Sequence, residues 1–166
     1  MFQLKSLARS SIPAALQRAE HYRLLNEPLE AESICRDVLE VEPDHPAALV
    51  TLILALTDQF ATALTARMKE AKGVAARLAG PYERAYYSGI ICERAAKVHH
   101  RRATPASGHI AYDLLRQAMQ HYETAERGRA PENDDALLRW NTCARFLMRH
   151  PETRPADEGE SVHLQE

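Results

Sequence analysis

Four histidines stand close together in the sequence, His99, His100, His109 and His121, and imidazole both ligates metals and moves protons near neutral pH. A metal site built on one helix takes ligands four residues apart, because that spacing puts both on one face. His99 and His100 are adjacent, so on a helix they point about 100 degrees apart and make no such pair. Solvated histidines at a helix end, where their charge suits the dipole, account for them more simply. His121 beside Glu123 and Glu126 is equally ordinary. The three cysteines, Cys35, Cys92 and Cys143, are far apart and form no CxxC pair. Each falls inside a helical pattern, which describes buried reduced thiols rather than a zinc knuckle, a disulfide frame or a reactive thiolate. GxGxxG, GxSxG, HExxH and the phosphate-binding GxxxxGK loop are all missing from the sequence. Glu32, Asp37 and Glu40 beside Arg36 are expected to form a solvated helix face. The chain is therefore expected to be non-catalytic, with no catalytic residue, no cofactor and no metal ligand. A small metal-dependent enzyme using His99, His100 and His109 is the alternative from another class.

Any such residues must be held by the elements around them. At 166 residues the chain fits one domain with a core large enough to fold without staples. Six glycines against 45% hydrophobic residues favour helix over a turn-rich β architecture. A net charge of -2 and a pI near 6.4 leave no basic excess to neutralise phosphates, so no nucleic-acid partner is expected. No apolar run approaches the ~18 residues of a membrane-spanning helix, and reduced thiols suit the cytoplasm. The opening MFQLKSLARSSIPAALQR carries Lys5, Arg9 and Arg18 and no acid before Glu20. A transit peptide has that bias, but so does an ordinary frayed N-terminus.

Periodicity predicts seven helices with short connections and no two-residue alternation, an all-α domain over residues 11–150 behind a tail at 1–10. The first helix starts at the caps Ser10 or Ser11 and ends near Leu25, with Leu16, Ala19 and Tyr22 inward. A tight turn at Asn26-Glu27-Pro28 leads to a second, whose Ala31, Ile34, Cys35, Val38 and Leu39 make one face; Pro43 stops it. Asp44 is the expected cap of a third, with Leu49, Leu52, Ile53 and Leu56 inward. A fourth runs from about Ala61 to Leu78 with Leu64, Met68, Ala71 and Ala75 inward, and Ala79-Gly80-Pro81 breaks it. The fifth spans Tyr82 to about His100 and carries Ala85, Tyr86, Gly89, Ile90, Cys92 and Ala96. RRATPASG, residues 101–108, reads as a mobile linker. The sixth, His109 to Arg127, turns Leu114, Leu115, Ala118, Tyr122 and Ala125 inward. Asn133 or Asp134 caps a seventh that ends near His150. The acidic, apolar-poor 151–166 reads as disordered.

Residues 12–45 resemble a tetratricopeptide repeat (TPR). Ala19 and Tyr22 stand where that family has a small and an aromatic residue on the first helix. Ala31 stands at the small contact of the second helix, and Leu39, Val41 and Pro43 match its ending. Small residues there let two helix backbones approach closely, and a period of about 34 residues marks stacked helical hairpins. Residues 46–79 keep the length and the first stripe but carry Thr65, Lys69 and Lys72 where small and aromatic residues belong. Residues 82–131 keep Gly89 at the close contact and Ala118, Tyr122 and Ala125 on the second helix, with RRATPASG inserted between. Residues 134–150, through Ala136, Trp140, Asn141, Cys143 and Phe146, resemble a capping half-repeat.

The resemblance implies a right-handed superhelix of about three TPR-like hairpins plus a C-terminal capping helix. It also implies a concave groove holding a protein or peptide segment, as an adaptor or scaffold does. By register that groove takes Leu16, Glu20 and Arg23, then Val50, Thr51 and Leu54, then Tyr86, Ile90 and Glu93, and last Trp140 and Asn141. An Asn can bond both the N–H and the C=O of an extended ligand, and Tyr, Trp and Arg dominate binding hot spots. Aromatic residues at helical spacing are, however, more often plain core. Leu16, Glu20 and Thr51 stand where chaperone-binding TPR domains carry a basic carboxylate clamp, so that ligand is not expected. Glu20, Asp58 and Glu93 near the centre favour a ligand with positive or apolar character. A dedicated chaperone for a secreted or assembling substrate is the alternative within the same resemblance, since some compact bacterial TPR chaperones have this size and acidity.

Overall fold

Proline opens three of the helices and punctuation closes the others, so the breaks read from sequence recur in space. The computed structural model describes residues 2–102, 104 and 106–156. Among the described residues seven α-helices run in order: α1 (Ile12–Leu24), α2 (Pro28–Val41), α3 (Pro46–Asp58), α4 (Phe60–Ala75), α5 (Pro81–Arg102), α6 (Ser107–Arg127) and α7 (Asp135–Arg149). No strand occurs among the described residues. Pro28, Pro46 and Pro81 each stand at a first helical position, where the missing N–H costs nothing. Between α1 and α2, Asn26 adopts a left-handed φ of 60°. The N–H groups of Asn26 and Glu27 return to the carbonyls of Arg23 and Tyr22 at 3.0 and 2.9 Å, closing the helix end on itself.

Several local expectations change. Asp44 does not cap α3; His45 does, its Nδ1 accepting from the Ala48 N–H at 3.3 Å. Ser11 precedes α1 without a side-chain cap, because a 3-10 turn over Arg9–Ser11 leads into the helix. At α7, Asn133 takes the capping work, accepting from the Asp135 N–H at 3.2 Å. The fourth helix begins at Phe60 and breaks its geometry at Ala63 (φ -145°, ψ 51°). Thr65, Lys69 and Lys72 are exposed, while Leu64, Ala71, Val74 and Ala75 are buried. In the linker read at 101–108, α5 continues to Arg102 and α6 starts at Ser107, with residues 103 and 105 outside the described ones.

Each helix packs mainly on its neighbours in sequence, and α3 also touches α1 and α5. The interior is built as two main clusters that share α5. One joins Ala19, Ala31 and Cys35 to α3, α4 and the Ile91, Ala95 and Val98 side of α5. The other joins Ile90, Cys92 and Ala96 of α5 to Leu115, Ala118 and Tyr122 of α6 and Ala136 and Cys143 of α7. A helix that packs on both sides buries more than one stripe, and α5 buries nine of its 22 residues. That is why Ile91, Ala95 and Val98 belong to the core although a single-face reading passes over them.

Candidate functional site

Four of the eleven residues assigned to a groove are core. Thr51, Ile90 and Glu93 are 3%, 3% and 1% exposed and offer no surface to a partner, and Leu16 is buried as well. The register argument failed here because it assumes each first helix has one open face, and both α3 and α5 are packed between neighbours on two sides. Glu20 is exposed on α1. Arg23, Leu54, Tyr86, Trp140 and Asn141 are half-buried. Leu54, Tyr86 and Trp140 pack against the same cluster, so the fold does gather residues from α3, α5 and α7.

The tyrosines of α5 form the centre of this region. Tyr82 and Tyr86 stack with ring centroids 5.8 Å apart, and Tyr87 meets Tyr86 edge-on at 5.2 Å. The Tyr82 hydroxyl reaches Asn133 Oδ1 at 3.2 Å, which ties α5 to the α7 cap. Trp140 Nε1 donates to Glu123 Oε1 at 2.9 Å. Beneath the tyrosines lies Glu93, accepting from the Tyr122 hydroxyl at 2.7 Å, from Lys97 Nζ at 2.5 Å and from Arg139 at 3.4 Å. Tyr86 also neighbours Arg139 and, with the Glu93 charge, helps keep its guanidinium charged, so buried charge and surface ring adjoin. Burial and the adjoining Glu93 charge push the Tyr122 phenol far above its ordinary value.

Asp58 at the end of α3 stands between two guanidinium groups, Arg23 of α1 at 2.8 Å and Arg94 of α5. Arg94 also donates to Thr57 Oγ1 at 2.7 Å. Two of the three acids expected to give the centre a negative character, Asp58 and Glu93, are therefore neutralised by basic side chains, and only Glu20 remains open. Lys97 stands four residues after Glu93 on the same helix, but the other basic partners lie 35, 36 and 46 residues away in sequence, so no local pattern reveals them. A second bridge joins α2 to α4: Glu32 of α2 accepts from Gln59 at 2.7 Å and from Arg36 and Arg67 at 2.6 and 3.2 Å. Burial alone would raise the Glu32 carboxyl, but the Gln59 and Arg36 hydrogen bonds and the Arg36 and Arg67 charges hold it below the usual range.

The histidines separate. His99 is lowered by burial and by Arg102, and His121 by burial and by Lys72. Both folded values fall below the ordinary 6.5, so the unfolded chain binds more protons as pH falls through that value. The stability these groups contribute is present above it and lost as pH drops. Thermal midpoints measured from about pH 7.5 to about pH 5.5 are expected to fall in the parent, and less steeply in a His99→Gln/His121→Gln variant. An equal slope in both proteins would refute this account. His109 Nδ1 meets the Arg154 carbonyl at 2.9 Å. His100 turns instead toward His150 and Glu152, beyond the end of α7, so His99, His100 and His109 do not form the cluster their numbers suggest.

Comparison of the chain with models of known protein families, with curated proteins and with solved structures finds no match. No helix among the described residues is long and apolar enough to cross a membrane.

Proposed function

We propose that this chain is a non-catalytic protein-interaction module of the TPR type, an adaptor or scaffold that holds a protein or peptide segment against the open sides of α3, α5 and α7. The observation that carries this reading is the packing pattern: neighbour on neighbour, with α3 also touching α1 and α5. Stacked helical hairpins are built that way and use the surface along their first helices for binding. The half-buried Leu54, Tyr86, Trp140 and Asn141 supply an apolar and amide-bearing face of the kind that anchors a partner. With Asp58 and Glu93 already paired, that face selects by shape and aromatic contact more than by charge. The thiols support the non-catalytic part of the reading, because burial pushes Cys35 and Cys143 up to about 12 and raises Cys92 as well, leaving no thiolate near neutral pH.

The test uses the segment that co-purifies with the chain from its native host. Its affinity is measured by calorimetry for the parent and for Tyr86→Ala/Asn141→Ala. Loss of two central contacts is expected to weaken binding at least ~10-fold, with the far-ultraviolet dichroism unchanged. Equal affinities would remove the assigned face.

A further inference from the structure

The ends of α5 and α7 and the segment after α7 meet around three side chains that the interaction face does not use. His100, His150 and Glu152 each place one donor atom within 4.8 Å of the others. Glu152 Oε1 lies 3.1 Å from His150 Nδ1 and 3.8 Å from His100 Nε2. Ligands sharing one tetrahedral zinc ion stand ~3.3 Å apart, because each bond is ~2.0–2.1 Å long. The two imidazole planes cross at 62° with centroids 4.4 Å apart, so both rings converge on the same carboxylate from different directions.

The surroundings are those of a metal histidine. Such a ring usually holds its second nitrogen on an oxygen that fixes its orientation, and His100 Nδ1 lies 3.2 Å from Thr153 Oγ1. Thr153 itself is 4% exposed, although composition reads 151–166 as disordered. Phe146 packs edge-on to His100 at 5.0 Å and lies 4.4 Å from His150, walling one side with apolar surface. The chain passes over Gly108 so closely that a Cβ there would come within 2.5 Å of the Glu152 carbonyl oxygen. Residues 152–154 are thus laid against α5 and α6, while 157–166 lie outside the described residues.

We propose that His100, His150 and Glu152 bind one divalent transition-metal ion of the zinc class, and that this ion clasps the C-terminal segment onto the helix stack. Two imidazoles and one carboxylate are the donors such ions accept, with a fourth position left for solvent or an anion. Lys97, Arg145 and Arg149 line the cleft beside His150 and disfavour a bare dication; an anion in the fourth position balances them. The ion needs the segment in place, so binding and docking of 150–154 are coupled.

The full chain, freed of any tag and stripped with a chelator, is titrated with Zn2+ against a competing chromophoric chelator. One equivalent is expected to bind, with at least a ~10-fold loss of affinity in each of His100→Gln, His150→Gln and Glu152→Gln. Zn2+ should raise the thermal midpoint of the parent and of His109→Gln but not of those three variants. Thr153→Val is expected to bind ~10-fold more weakly, and Thr153→Ser to recover. Glu152 is exposed, so its variant keeps the test open if a histidine change disturbs folding. Substoichiometric binding, or equal affinity in His100→Gln/His150→Gln, would overturn the proposal and leave a simple histidine–carboxylate ion pair.

Discussion

Replacing Glu93 by alanine is expected to remove about 3–5 kcal/mol of folding stability. The side chain is 1% exposed and accepts from Tyr122, Lys97 and Arg139. Lys97 and Arg139 have side chains 32% and 37% exposed and can turn toward water when their acceptor is lost. Tyr122 cannot: it is 1% exposed, and its hydroxyl would remain in an apolar interior without a partner, a penalty of about 1–3 kcal/mol by itself. A loss of this size is a large share of the ~5–15 kcal/mol that holds a domain together. If the unpaired phenol is the dominant cost, Glu93→Met/Tyr122→Phe should recover much of it, since replacing both partners with apolar groups of similar shape is often close to neutral. Urea unfolding of the single and double variants measures this. A Glu93→Ala protein within ~1 kcal/mol of the parent would show that the buried network is not what joins α5, α6 and α7.

The second large effect is expected one turn earlier on the same face of α5. A Cβ at Gly89 would come within 2.5, 2.7 and 2.9 Å of three Tyr122 ring atoms. Gly89 is therefore required for close approach, because the ring lies where any side chain would be. Gly89→Ala gains ~1 kcal/mol of helix propensity yet is expected to lower stability, as overpacking a dense core costs about 1–3 kcal/mol. Gly89→Leu should exceed that. Because Gly89 and Glu93 both act through Tyr122, the effects should not add. In a Tyr122→Leu background, Gly89→Ala should cost less than in the parent and approach the gain expected of an exposed helix site. An undiminished penalty in that background would place the clash elsewhere than on the Tyr122 ring.

Gly89 also illustrates how much a sequence can carry. The repeat resemblance implies a close helix contact at this small residue, but the residue it must admit, Tyr122, is named only by the packing of α6. The inner stripes behave the same way: Leu49, Leu52, Ile53 and Leu56 are buried as the 3.6-residue period requires. Ile91, Ala95 and Val98 are buried because α5 is covered on its second side as well. Arg23 and Asp58 were legible as charged groups near a presumed surface, but their pairing across 35 residues was not. Thr153 lies in a stretch whose composition says disorder, and it is held by His100 and by a gap at Gly108 that no local property announces.

The sequence by itself determined the all-α class, the seven helices and their breaks at proline and turn residues, because helix periodicity and backbone punctuation act over a few residues. Which faces stay open was decided only in three dimensions. Thr51, Ile90 and Glu93 share the register of surface residues and are buried, while His100 leaves its sequence neighbours for His150 and Glu152. Burial and side-chain partnership depend on the stacking of helices far apart in the chain, and that stacking is a sum over many weak contacts that no short pattern records.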